Sequence, residues 1–157
     1  MHVGVRSMPT ELVVAEAMAD GPDRGYSPAM PPLFLVMAGG AVGAGFRYQV
    51  GAVALRNLGP GYPWGTLVVN LVGGLMMGVL AGMLAKPPLL GTQGEPLWLL
   101  LGVGVLGGFT TFSAFSLETV NMITRGQAAM AALYAACSVA GSVIALFGGL
   151  ALARTIA

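Results

Sequence analysis

Apolar side chains and glycines run almost unbroken through four stretches of the chain, from about Leu33 to Leu55, Trp64 to Ala85, Leu97 to Ile123 and Ala128 to Leu152. Each reaches the roughly 20 residues that a helix needs to cross the hydrocarbon core of a bilayer. Breakers separate them: Asn57-Leu58-Gly59-Pro60-Gly61-Tyr62-Pro63, then Lys86-Pro87-Pro88 through Glu95-Pro96, then Thr124-Arg125-Gly126. The pattern predicts an all-α integral membrane protein with four transmembrane helices, occupying residues 32–157. The connections are too short for an extramembrane domain, so any function lies within or between the helices.

Residues 1–31 are an N-terminal extension of a different kind, holding six of the thirteen charged side chains. Thr10 offers a cap for a short helix through Met18, which Gly21-Pro22-Asp23 and the prolines from Pro28 to Pro32 would end. The apolar core and small-residue cleavage site of a secretory signal are missing. Three readings stand side by side: a mobile tail, a surface amphipathic helix, or a true translation start at Met30.

Composition narrows the chemistry. Of 157 residues, 56% are hydrophobic and 8% charged, against roughly a quarter charged in soluble domains. A water-soluble protein is excluded on that ground. A net charge of +1 supplies no basic patch for nucleic acid. Cys137 is the single cysteine, which rules out an intrachain disulfide and reads as a small buried side chain. His2 is the single histidine and stands at the extreme N-terminus, so histidine-based zinc hydrolysis and Ser-His catalysis lack a ligand or base in the spans. No paired carboxylates are at hand either, and an intramembrane enzyme is set aside.

With both termini on one side, that side carries Arg6, Arg24, Lys86 and Arg154 and the other Arg56 and Arg125. Without the extension the two sides balance, and the positive-inside rule gives almost no instruction. A chain with no preferred orientation inserts both ways, which suggests an antiparallel pair.

The placement of glycine and polar residues is more telling than their number. Gly39, Gly43 and Gly51 lie at multiples of four on the first helix, and Gly74, Gly78 and Gly82 run by fours on the second. Small residues at this spacing let backbones approach closely in lipid. Thr66 and Asn70 extend the second row, Arg47 falls between Gly43 and Gly51, and Tyr134, Ser138 and Ser142 are four apart on the fourth helix. An unpaired carboxamide inside a span costs a few kcal/mol, so Asn70 needs a partner, either a neighbouring helix or a ligand. Arg47 costs about 2.5 to 3.5 kcal/mol at mid-helix unless it snorkels to the interface.

The third span holds the densest signal, Gly104-Val105-Leu106-Gly107-Gly108-Phe109-Thr110-Thr111-Phe112-Ser113-Ala114-Phe115-Ser116. Two glycines followed by two β-branched threonines make poor helix, which predicts a break near mid-membrane. Freed backbone groups are tolerated there only where protein, water or an ion satisfies them.

Three ordered motifs then resemble the CrcB/Fluc fluoride channel family. They are Gly39-Gly40-Ala41-Val42-Gly43-Ala44-Gly45-Phe46-Arg47-Tyr48, Gly65-Thr66-Leu67-Val68-Val69-Asn70, and Gly107-Gly108-Phe109-Thr110-Thr111-Phe112-Ser113-Ala114-Phe115-Ser116. The resemblance covers residues 33 to 154 and implies a multi-pass protein of the bacterial inner membrane that lets fluoride leave the cell passively. It implies an antiparallel, dual-topology homodimer with two pores. It also implies a structural sodium ion, not transported, on main-chain carbonyls that fall here on Gly107 and Thr110. Asn70 then resembles the pore-facing amide donor, and Phe112 and Phe115 the paired rings beside the ion path. An aromatic ring presents an electropositive edge to an anion. Thr66, Ser113, Ser116, Tyr134, Ser138 and Ser142 would line a polar track, with Glu118 near its end. Arg47, Gly43, Gly74 and Gly108 take structural roles. Ala114 and Gly74 depart from the family, where hydroxyl residues are common, and the extension is atypical.

The rival of another class is a proton-coupled transporter of the small multidrug resistance type, also four helices. Such a transporter needs a membrane-embedded carboxylate, and Glu118 is the only candidate in the spans. A purely structural assembly subunit is a third reading, in which Asn70 and both Phe residues are replaceable without an ion phenotype.

Overall fold

The computed structural model describes residues 31–85 and 94–156, all helical or in short connections. The N-terminal extension up to residue 30, and the connection holding Lys86, Pro87 and Pro88, lie outside the described residues. Four helical segments are long and apolar enough to cross a membrane. They are α1 (Pro32–Leu58), α2 (Trp64–Leu84), the third span Gly94–Thr124 and the last helix Ala128–Ile156. At 1.5 Å per residue the 27 residues of α1 reach about 40 Å, more than the hydrocarbon thickness.

The ends follow local rules with shifts from the sequence reading. Asn57 does not end α1: its side-chain amide donates to the Val53 carbonyl at 2.8 Å, and the helix runs on to Leu58. The stop is Gly59, whose φ of +76° suits a residue without a Cβ and whose N–H reaches the Leu55 carbonyl at 3.1 Å. The third span stops in the same way. Gly126 (φ +77°) donates to Ile123 at 2.9 Å and Gln127 to Met122 at 2.9 Å, the paired closing bonds of a Schellman motif. The last helix overruns its expected end at Leu152 because Arg154 and Thr155 continue it, with Thr155 donating to the Leu152 carbonyl at 2.8 Å.

The third span is the irregular one. It comprises α3 (Gly94–Leu97), a π-helical stretch Trp98–Leu106, α4 (Gly107–Phe109) and α5 (Phe112–Thr124). The glycine pair stays helical. It is Thr110 (φ −74°, ψ 158°) and Thr111 (φ −152°, ψ 122°) that leave helical geometry. The last helix, Ala128–Ile156, is α6.

Packing joins α1 to the π-helical stretch and α2 to α6. Glycine makes both contacts possible. A Cβ at Gly43 would run into the Val105 carbonyl, one at Gly108 would sit 2.5 Å from the Gly40 carbonyl, and one at Gly78 would strike the Leu146 carbonyl. Such close backbone approach is how helices associate in lipid, where apolar burial gives no drive. The buried core is accordingly small: Val69, Leu106, Phe109, Phe115, Met122 and Tyr134 lead it. Large apolar side chains such as Phe34, Phe46, Ile144 and Phe147 face outward, as a lipid or protein surround allows. Cys137, expected inside, is exposed. Its helical neighbours Tyr134 and Ser138 are buried, and Cys137, about 100° round the helix from Ser138, falls at the edge of their face.

Candidate functional site

Where Thr110 and Thr111 leave helical geometry, Thr110 keeps its helical bond and Thr111 finds substitutes. Thr110 turns both N–H and hydroxyl onto the Leu106 carbonyl, each at 3.0 Å. Thr111 N–H donates to Asn70 Oδ1 at 2.9 Å, and Asn70 Nδ2 donates to the Thr111 carbonyl at 3.1 Å. The Thr111 hydroxyl oxygen accepts from Ala114 N–H at 3.3 Å, capping α5, and lies 3.3 Å from the Ser113 hydroxyl. Asn70 is thus partnered by backbone across the chain and keeps one N–H in reserve.

Beside this pair opens a groove of about 430 Å³ between α2, α5 and α6. Asn70, Phe112, Phe115, Ser138 and Ser142 all border it, so half of the sequence-derived pore candidates come together here. Ser138 is 4% exposed, and among the described residues its hydroxyl has no hydrogen-bond partner. Gly74 lines the same groove, and a Cβ there would lie 2.7 Å from the Ser142 carbonyl. A serine at that position therefore requires a shift of α2 or α6, which accounts for the glycine in this chain.

A second cavity of about 330 Å³ lies at the end where α1 turns into α2, bordered by Thr66, Glu118, Asn121, Arg125 and Gln127. Here Glu118 accepts from two hydroxyls. Thr66 hydroxyl donates to Glu118 Oε1 at 2.8 Å and Tyr134 hydroxyl to Glu118 Oε2 at 2.7 Å. A run of rings connects the two cavities. Phe112 and Phe115 have centroids 5.4 Å apart, Phe115 and Tyr134 5.3 Å, Tyr134 and Tyr62 5.5 Å, and Tyr62 and Trp64 4.6 Å. The Tyr62 and Tyr134 rings meet edge to face at 81°, and the other three pairs are tilted by 45° to 52°. Phe115 is nearly buried, whereas Phe112 is 76% exposed.

Three pore candidates line neither cavity: Tyr134, Ser113 and Ser116. Ser116 folds its hydroxyl back onto the Phe112 carbonyl at 2.9 Å, and Ser113 is exposed next to Thr111. Gly107 is also exposed, and Arg47 is half-buried without an ion-pair partner among the described residues. No group of three or more metal-ligating side chains occurs among the described residues. The sequence reading passed over Thr111 as a site residue, although a threonine directly ahead of a new helical run carries a capping signal. It also passed over Tyr62, Asn121, Arg125 and Gln127, which sit in or near connections and carry no spacing pattern.

A small four-span membrane protein with a largely apolar groove, bordered by Asn70 and Ser138 beside the extended Thr110–Thr111 pair, is the class that this arrangement defines. The family model described as "CrcB-like protein, Camphor Resistance (CrcB)" matches residues 34–150, and the chain belongs to that family. Among its relatives is a protein of Phenylobacterium zucineum, 56% identical over 128 residues, covering 81% of this chain and 98% of the relative. A Caulobacter protein is 55% identical over 127 residues and one from Sphingopyxis alaskensis 52% over 127, again covering 81% of this chain and 98% of each relative. All three are named fluoride-specific ion channel FluC.

Proposed function

We propose that this chain is a multi-pass bacterial membrane protein that forms a fluoride-selective channel and lowers cytoplasmic fluoride by passive efflux. The single observation that carries the reading is the buried, unpartnered Ser138 hydroxyl in a groove bordered by Asn70 and the Phe115 ring. A buried polar group without a partner costs free energy, and a small anion that accepts its hydrogen bond removes that cost. The spare Asn70 N–H offers a second donor, and ring edges of Phe112 and Phe115 offer weakly positive surface without a fixed cation that would trap the ion. Selectivity over chloride then follows from a narrow bore lined with small donors. Hydrogen fluoride enters neutral, dissociates in the less acidic cytosol and leaves the anion behind, so the membrane potential drives it out through the pore.

The working unit in this reading is an antiparallel, dual-topology homodimer. Phe112 and Gly107 are exposed on the single chain, and a second copy is the partner that closes the groove and covers them. The Thr110–Thr111 interruption is then the mid-membrane break of the third helix. Its carbonyls fit a structural sodium ion: Thr111 N–H goes to Asn70 instead of Gly107, and Ala114 N–H goes to the Thr111 hydroxyl instead of the Thr110 carbonyl. Gly107 and Thr110 therefore have oxygen lone pairs to give, and a hard cation takes oxygen ligands. Such an ion would fix the two chains to each other and not travel through the pore.

Reconstitution into liposomes with a fluoride electrode tests the proposal. Wild-type vesicles containing sodium are expected to release fluoride far faster than empty vesicles and to hold chloride. Equal chloride and fluoride currents would contradict it. The proton-coupled alternative rests on Glu118, both of whose carboxylate oxygens already accept hydroxyl hydrogen bonds. The names of the relatives do not favour it, and it predicts pH-driven transport that Glu118→Gln abolishes.

A further inference from the structure

We infer that Asn70 is a backbone clamp, whose carboxamide holds Thr111 out of the helix and thereby sets the main-chain shape beside the groove. The inference deepens the channel reading and depends on it only for its effect on ion flux. A continuous helix would carry the Thr111 N–H back to the Gly107 carbonyl, four residues earlier. The structure sends it to Asn70 Oδ1 at 2.9 Å, and Asn70 Nδ2 returns a bond to the Thr111 carbonyl at 3.1 Å. One side chain thus answers both main-chain groups of a residue 41 positions away. The exchange of two bonds is that of a hydrogen-bonded antiparallel strand pair, and Thr111 has the matching extended dihedrals of −152° and 122°.

A second observation on the same face of α2 points the same way. Gly73 lies one turn beyond Asn70, and a Cβ there would collide with the Thr110 methyl group. Residues 70 and 73 therefore act together: the glycine makes a recess for Thr110, and the carboxamide fixes Thr111 next to it. In lipid the freed amide and carbonyl of Thr111 have no water to turn to. Without the carboxamide, the route left to this segment is to coil back onto Gly107 and Thr110. Asn70 is in this sense a positioning residue, and its one remaining N–H is the only part of the carboxamide left to meet an ion.

Solid-state NMR of the full-length protein in liposomes, with labelled threonine and asparagine, tests the clamp. In the wild type, a through-space contact between Asn70 Nδ2 and the Thr111 carbonyl carbon is expected, and Thr111 carbon shifts should be extended. Asn70→Ala is expected to move the Thr110 and Thr111 shifts toward helical values while Thr119 and Thr124 stay in place. Asn70→Gln, which carries the same donor and acceptor on a longer arm, is expected to restore extended shifts at Thr111. Absence of the wild-type contact overturns the clamp even if no variant folds, and so do unchanged Thr111 shifts in Asn70→Ala. Fluoride flux from the same vesicles reports separately. Wild-type flux no greater than that of empty vesicles sinks the channel reading and leaves the NMR outcome for the clamp intact.

Discussion

Tyr134 and Ser138 sit one turn apart on the same helix, both almost fully buried, yet their hydroxyls live in opposite circumstances. Tyr134, with Thr66, spends its hydrogen on Glu118. Ser138 has no protein partner among the described residues and looks into the groove with Asn70 and Phe115. Around Glu118 polar groups satisfy one another, and the cluster holds α2, α5 and α6 together. Around Ser138 a donor is left in hand. On the channel reading, the difference predicts that hydroxyls four residues apart serve a passing anion unevenly, since each hydrogen bond already made is one the anion does not receive.

Four substitutions break or sharpen that contrast. The largest effect is expected from Phe115→Ile, which removes the ring between Phe112 and Tyr134 and with it the positive edges beside the groove. Fluoride efflux from liposomes should fall by two orders of magnitude or more, taking about 1.4 kcal/mol per tenfold. Gly78→Leu comes next, because the Leu146 carbonyl occupies the space a side chain would need. Overpacking costs about 1 to 3 kcal/mol or more, visible as a lower thermal midpoint of the detergent-purified protein.

Ser138→Ala separates the two regions most cleanly. Deleting an unsatisfied buried hydroxyl should leave thermal stability unchanged or raise it by up to about 1 kcal/mol, while efflux drops about tenfold as one donor is lost. Thr66→Val should do the reverse. Loss of its bond to Glu118 should lower stability by about 1 kcal/mol, with efflux changed by less than about threefold. If the two variants behave alike in both assays, the distinction between spent and spare donors is wrong.

The helices were legible because twenty apolar residues in a row admit few other structures in lipid. Their ends were less so. Asn57 belongs to a predicted breaker, yet its amide bonds within the helix, and the stop falls at Gly59. In the third span the glycine pair and the two threonines after it together predict a break, but the glycines need only room, and Gly108 uses that room for Gly40. What changed the backbone was a side chain on another helix. The Asn70 pairing with Thr111 and the Thr66 pairing with Glu118 join residues 41 and 52 positions apart, beyond any local pattern. Ser116 entered the hydroxyl candidates through the family resemblance, and its hydroxyl donates to its own helix at the Phe112 carbonyl.

The carboxamide at position 70 imitates a peptide unit, and that mimicry restricts what drift or design can do there. Aspartate offers no donor, serine and alanine fall short, and lysine brings a charge, so hardly any other residue can impersonate a strand at that reach. Altering ion preference through this position means rebuilding the chain's own path, and a designer seeking a different halide has freer hands one helix away, at position 138.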